Sequence, residues 1–247
     1  MTVAVVRAIT LLAFFLLWEI TSVQRWVDPI FIGQPTRIAV FLYEGLLVNY
    51  VLIHHTVWTL IGTLTAFGLG SICGILFGLM FVAYPAVEKF FEPIFNGLNA
   101  LPRIALAPLF LLWFGLGLPS KVALGFSLTF FIVLSSTVAG ARSVNPDFLT
   151  LAHTLGAKST VIFRKITLPS AVPTVFSGLR LGLIYALLGV IAAEIIAAEQ
   201  GLGQKISFLA GTFQINGVFA VLFLLGLIGA SLTWIASAME RRLLRWR

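Results

Sequence analysis

The stretch GLLVNYVLIHHTVWTLIGTLTAFGLGSICGILFGLMFVAYPAV, residues 45–87, contains no Asp, Glu, Lys or Arg. A helix rises about 1.5 Å per residue, so roughly 20 apolar residues cross a hydrocarbon core of about 30 Å, and this stretch is longer than that. Charge-free runs recur from Val122 to Ala141 and from Ile206 to Met239, with shorter ones at Ile104–Ser120 and Leu181–Ala193. None alternates polar and apolar residues as a barrel strand does. Lipid requires backbone groups to be satisfied within the segment, so these runs are helices. Composition agrees: 60% of the chain is hydrophobic and 10% charged, against roughly 25% charged in ordinary soluble domains. A water-soluble globule, a disordered chain and a peripheral enzyme with one anchor are excluded. So is a disulfide scaffold, because Cys73 is the single cysteine.

The pattern predicts an all-α membrane protein with about six transmembrane helices: Val3–Val23, His55–Tyr84, Lys89–Phe114, Lys121–Gly140, Pro173–Ala197 and Val218–Met239. The first looks like a signal peptide, with Arg7 before an apolar core. Trp18-Glu19 stands where a small-residue cleavage site belongs, which predicts an uncleaved anchor. Asp28-Pro29, Gly33 and Pro35-Thr36 mark a turn, and the periodic stretch Arg37–Leu47 predicts a short interfacial helix. Residues 1–54 thus read as an anchor plus interfacial segment. Residues 55–247 read as the core, with one long loop at about 142–172.

The net charge of +7 raises nucleic acid as a partner, and the placement of the charges removes it. With the N-terminus inside, Arg7, Lys89, Arg142, Lys158, Arg164, Lys165, Arg180, Arg241, Arg242, Arg245 and Arg247 fall on the cytoplasmic side. Only Arg25, Arg37, Lys121 and Lys205 fall outside. This bias predicts that both termini and the long loop are cytoplasmic.

That loop carries Asp147-Phe-Leu-Thr-Leu-Ala-His-Thr-Leu-Gly156-Ala-Lys-Ser-Thr-Val-Ile-Phe-Arg-Lys-Ile-Thr-Leu168-Pro169. Asn145-Pro146-Asp147 signals a turn and a helix start, with Asp147 as the expected cap. Leu149, Ala152 and Leu155 make an apolar face, which Gly156 interrupts by a helix break or a close backbone contact. Val161, Ile162 and Ile166 resume the pattern, and Pro169 is expected to end it. Two short amphipathic helices joined at a glycine would offer a docking surface to a soluble partner.

Here the chain resembles the permease subunits of binding-protein-dependent ABC importers. The resemblance rests on Ala152, Gly156, Ile166, Leu168 and Pro169, which match that family's cytoplasmic pattern of acidic-Ala-Ala, glycine and Ile-x-Leu-Pro. Thr150 replaces the usual Glu, and Leu151 the usual Ala. Asn99-Ala-Leu-Pro-Arg-Ile-Ala-Leu-Ala-Pro108-Leu-Phe-Leu-Leu-Trp113-Phe-Gly115, with Ala193-Glu194 and Gly201-Leu202-Gly203, is similar to the nitrate/sulfonate/taurine branch. Together the matches run from about Thr56 to Arg245.

The resemblance implies a type I ABC importer permease fold in a bacterial cell membrane and no catalysis by this chain. It implies a coupling helix in which Thr150, Ala152, His153, Leu155, Gly156, Ala157, Leu168 and Pro169 meet an ATPase subunit. It also implies an extracytoplasmic substrate-binding protein and a second permease copy, a homodimer, in the lipid bilayer. ATP and Mg would be bound by the ATPase alone. Consistently, the chain has no G-x-x-x-x-G-K-[ST] run. Nitrate, sulfonates, taurine and neutral pyrimidine precursors are all carried by related systems.

Among the polar residues within spans, Asn96, Asn99, Arg103 and Glu194 are the candidate pathway residues. An Arg at mid-bilayer costs at least about 2.5–3.5 kcal/mol, so Arg103 faces a cavity or a partner. It either lines the pathway for an anionic solute or is satisfied by carbonyls that Pro102 and Pro108 leave free. Asn99, four residues earlier, shares its face, and Asn96 lies on the same helix. Glu194 is expected to pair with Arg103, Lys121 or Lys205, or to form part of an outer gate. Gly70, Gly74 and Gly78 form a small-residue stripe for close packing, within the chain or across a dimer. His54 and His55 lack a third ligand, which argues against a metal site. Trp18, Trp26 and Trp113 read as interfacial anchors. A membrane enzyme would need an acid pair or a nucleophile with its base, and neither is found. A secondary transporter or channel is the competing class, with Glu194 and Glu19 as its intramembrane carboxylates.

Overall fold

The computed structural model describes residues 2–243, so Arg245 and Arg247 of the basic set lie outside the described residues. Every regular element among the described residues is helical. In order these are α1 (Thr2–Val23), α2 (Pro29–Ile32), α3 (Pro35–Tyr43), α4 (Val51–Ala83), α5 (Pro85–Ala100), α6 (Ala107–Phe114), α7 (Leu118–Arg142), α8 (Pro146–Thr154), α9 (Ser159–Ile162), α10 (Leu168–Ile196), α11 (Leu202–Gly211) and α12 (Ile215–Leu243). Wider π turns follow α3 at Glu44–Val48 and α9 at Phe163–Thr167, and a 3-10 turn, Arg103–Leu106, precedes α6. Among the described residues, five helical runs are long and apolar enough to cross a membrane, and a sixth apolar stretch is a pair of helices bent by 84°, a broken span or a re-entrant loop.

That bent pair corrects the straight third span. Pro102 lacks an N–H and disfavours helical geometry in Leu101, which is extended at φ −67°, ψ 136°. α5 therefore stops at Ala100, and the chain restarts through the 3-10 turn into α6, with Pro108 in its first turn. The fifth span is corrected too. Pro169 does not end a helix; α9, the π turn and α10 form one run of 38 residues, Ser159–Ile196. In the π turn Leu168 N–H donates to the Phe163 carbonyl, five residues back. This wider turn accommodates the missing Pro169 N–H at the start of α10.

The chain divides into two compact units. The first comprises residues up to Thr59 with Glu194–Ile228. In it the half-buried Trp18 packs against α12. Its ring lies 5.5 Å from Phe219 and 6.1 Å from Phe223, and its Nε1 donates to the Ile32 carbonyl at 3.2 Å. The carboxylate of Glu19 accepts from Gln34 Nε2 at 2.6 Å, Thr36 Oγ1 at 2.9 Å and the Thr36 backbone N–H at 3.0 Å. One acidic side chain thus joins α1 to the start of α3. Asp28 caps α2 by accepting from the Ile30 N–H at 3.0 Å.

The second unit comprises Leu60–Ala193 and the chain from Gly229 onward. Its centre is α7, held between the second part of α4 and α10. A Cβ on Gly70 would stand 2.8 Å from Thr129 Cβ, and one on Gly78 would stand 2.7 Å from Thr137 Cβ. The glycine stripe is therefore used within the chain. On the other side of α7 the Gly125 and Gly189 backbones meet, and Thr129 Oγ1 donates to the Gly182 carbonyl at 3.1 Å. Leu69, Ile72 and Leu76 on α4 are exposed apolar side chains, as a lipid-facing surface requires.

This packing makes a measurable demand. A Cβ at Gly74 would lie 2.8 Å from the Phe130 carbonyl oxygen and 3.0 Å from the Leu134 nitrogen, both backbone atoms. Gly74→Ala should cost about 1–3 kcal/mol through overpacking. Gly68→Ala, which meets nothing within 4 Å, should leave the melting temperature in detergent unchanged or raised. Equal melting of both variants would refute the close α4–α7 contact.

Candidate translocation site and coupling loop

Arg103 sits at the bend. Its Nη1 donates to the Ser127 carbonyl on α7 at 3.0 Å, and its Nη2 donates to Asn99 Oδ1. The guanidinium carbon lies 4.0 Å from the centroid of the Phe131 ring, a cation–π contact. The carbonyl that satisfies it belongs to α7 and not to a residue freed by either proline. A guanidinium carries more N–H donors than these two bonds use. Beside it opens a cavity of about 390 Å³ lined by Asn99, Leu101, Pro102, Arg103, Ile104, Leu128, Ile132 and Tyr185. The bend delivers the charge: α5 brings Asn99 to the corner, and the 3-10 turn brings Arg103 back over Phe131.

Asn96 does not share this cavity. It lines a second one of about 300 Å³ with Glu88, Glu92, Ser135 and Arg142. Arg142 Nη2 contacts both Glu88 carboxylate oxygens, at 2.6 and 2.5 Å. Sequence reading missed this pair. Glu88, Glu92, Asn96 and Asn99 recur at spacings of three and four and mark one polar face of α5, but Arg142 lies 54 residues away and no local spacing reports it.

In the loop, Asn145 and not Asp147 caps α8. The Asn145 side chain accepts from the Asp147 N–H at 2.9 Å, while Pro146 takes the first helical position, which has no use for an N–H. Thr150 turns its hydroxyl back to the Pro146 carbonyl at 3.0 Å. Gly156 has φ +76°, with its N–H bonded to the His153 carbonyl and the Ala157 N–H bonded to the Ala152 carbonyl. This pair of bonds is a Schellman stop, and the left-handed residue it needs is the glycine. A Cβ there would meet nothing within 4 Å, so Gly156 makes a helix break and not a close contact. Of the expected apolar face, Leu149 and Ala152 are half-buried and Leu155 is 77% exposed. Phe148, Leu151 and Leu155, at i, i+3 and i+7, present an exposed apolar stripe. Leu168 and Pro169 open α10 beyond the π turn, and His153 and Ala157 flank the stop.

Glu194 lies in the other unit and is 1% exposed. Its carboxylate accepts from Thr59 Oγ1 at 2.9 and 3.1 Å and from the Gly203 N–H at 2.9 Å. The Leu202 N–H donates to Thr59 Oγ1 at 2.8 Å, and the Gly201 N–H donates to His55 Nδ1 at 3.0 Å. The amides at the start of α11, unsatisfied within the helix, thus converge on a carboxylate, a hydroxyl and an imidazole. Among the described residues no group of three metal-ligating side chains occurs.

The chain is 31% identical to the riboflavin transport system permease of Chloroflexus aurantiacus, over 96% of this chain and 88% of that one. It is 32% identical to the formylaminopyrimidine transport permease of Halalkalibacterium halodurans, over 96% and 93% respectively. It is 28% identical to the taurine transport system permease of Escherichia coli, over 96% and 88%. Among solved structures, a chain of the MetNI methionine ABC transporter in an inward-facing conformation shares the fold at a TM-score of 0.67 and 20% identity, covering 78% of this chain and 96% of that chain. The model of the binding-protein-dependent transport system inner membrane component family matches residues 66–245. With its helical spans and its glycine-stopped loop, the chain belongs to that family of non-catalytic, multi-pass importer permeases.

Proposed function

We propose that two copies of this chain form the pathway of an ATP-driven importer for a small anion of the nitrate, sulfonate or taurine class. The observation that carries the reading is Arg103, braced by Asn99, Ser127 and Phe131 beside a cavity of about 390 Å³. A fixed guanidinium recognises an oxyanion through paired N–H donors. Asn96 and Asn99 extend a polar stripe along α5, none of whose residues is buried, and a second copy would cover it. The favourable alternative solute is a neutral pyrimidine-type precursor, since a 32% identical relative bears a formylaminopyrimidine name and the cavity walls include Leu128, Ile132 and Tyr185.

The coupling residues Thr150, Ala152, His153, Leu155, Gly156, Ala157, Leu168 and Pro169 would lie on the cytoplasmic side with both termini, in a bacterial cell membrane. The ATPase, which binds ATP and Mg, would receive the Phe148, Leu151 and Leu155 stripe in an apolar groove. A binding protein would deliver solute at the opposite face, and Glu194 would hold the α10–α11 turn there.

The test is reconstitution of the chain with its ATPase and binding protein in proteoliposomes, reading solute uptake and ATP hydrolysis together. Leu155→Asp should leave melting unchanged, because the side chain is exposed, and lower capture of the ATPase by about tenfold. Wild-type capture and uptake in that variant would refute the docking assignment. ATP-independent uptake driven by an ion gradient would refute the importer reading.

A further inference from the structure

We propose that the Glu88–Arg142 ion pair is the positioning contact that transmits movement of α8 to the Arg103 site. The proposal rests on the importer reading above. Arg142 ends α7 three residues before Asn145, the cap of α8, and the intervening Val144 is 8% exposed. That connection is short and anchored, so α8 cannot shift without displacing the Arg142 end of α7. Glu88 occupies the first turn of α5, and its side chain is 16% exposed against 60% for Arg142.

α5 is suited to move. It has no buried residue, and it packs along one side through Phe91 and Phe95 on Phe81, Phe130 and Phe131. Smooth aromatic contacts permit sliding, whereas the charged contacts fix its ends. At one end Glu88 grips Arg142, and past the other Arg103 grips the Ser127 carbonyl, also on α7. Glu88 and Asn99 lie on one face of α5, and Asn99 accepts from Arg103 Nη2 across the bend, so a pull at Glu88 displaces the brace that holds Arg103. An ion pair with one partner largely solvated is weak enough to break and reform in each transport cycle.

The experiment uses the complete reconstituted complex and reads solute moved per ATP hydrolysed. Glu88→Gln and Arg142→Gln should each lower that ratio about fivefold while hydrolysis continues, and the double variant should be no worse than either alone. The exchanged pair, Glu88→Arg with Arg142→Glu, should recover at least about half of the wild-type ratio, because the contact is restored with its charges reversed. Glu92→Gln lines the same cavity without gripping Arg142 and should keep the wild-type ratio. Wild-type ratios in the single variants, an exchanged pair as uncoupled as the singles, or equal uncoupling by Glu92→Gln would each overturn the proposal. A wild-type complex whose hydrolysis drives no uptake would instead overturn the importer reading.

Discussion

Arg103→Ala is expected to lower uptake by about a hundredfold, the scale of a lost charge-assisted contact to a bound anion, while the complex still assembles. Assembly should survive because the partners left behind are not stranded. The Ser127 carbonyl sits inside α7, where the helix supplies its own donors, and Asn99 lies on an exposed part of α5. What the variant removes is the charge and the fork of donors facing the cavity. Arg103→Lys sharpens the test. A lysine keeps the charge but cannot brace against Asn99, Ser127 and Phe131 at once, so uptake should fall to an intermediate level with a raised apparent KM. Uptake at the wild-type rate in the alanine variant, with unchanged melting, would reduce Arg103 to a brace for the bend between α5 and α6.

The largest expected loss of stability comes from Gly201→Ala. Gly201 has φ +120°, which side-chain-bearing residues rarely adopt, and a Cβ there would stand 2.0 Å from a Glu194 carboxylate oxygen. The carboxylate has no free direction, since Thr59 and the Gly203 amide already hold it. Accommodating one methyl group must therefore expel a buried acid from its donors, at about 3–5 kcal/mol. The variant should fail to accumulate as folded protein, or melt far below the wild type in detergent. Gly211→Ala, in the same helix with nothing within 4 Å, should be tolerated. Similar melting of the two would show that the Glu194 contact does not secure this turn.

Which of these features the sequence revealed follows from the range of the forces involved. The spans were legible because one charge in lipid outweighs any local preference, so their ends fall near the predicted positions: His55–Tyr84 became Val51–Ala83, and Lys121–Gly140 became Leu118–Arg142. The Gly156 break was legible because the left-handed stop is a local requirement. Pro102 and Pro108 marked the third span as irregular. An 84° turn, however, depends on Leu101 going extended and on Ser127 and Phe131 being in place to hold Arg103, which involves another helix. Glu194 was noticed as an anomaly, but its hydroxyl partner on α4 is 135 residues earlier. No periodicity or motif within a window reports such a pairing.

That distance also orders assembly. Glu194 reaches the Gly203 amide across nine residues, but Thr59 only across 135. Loop-closure entropy separates the two events by about 2 kcal/mol. The nearer contact is the cheaper to close, and it gives the acid a donor without any residue of α12. The farther one closes only when α4 arrives beside α10. The Thr59 hydroxyl donates to Glu194 and accepts from the Leu202 amide, so the site is complete only where α4 lies beside the α10–α11 turn.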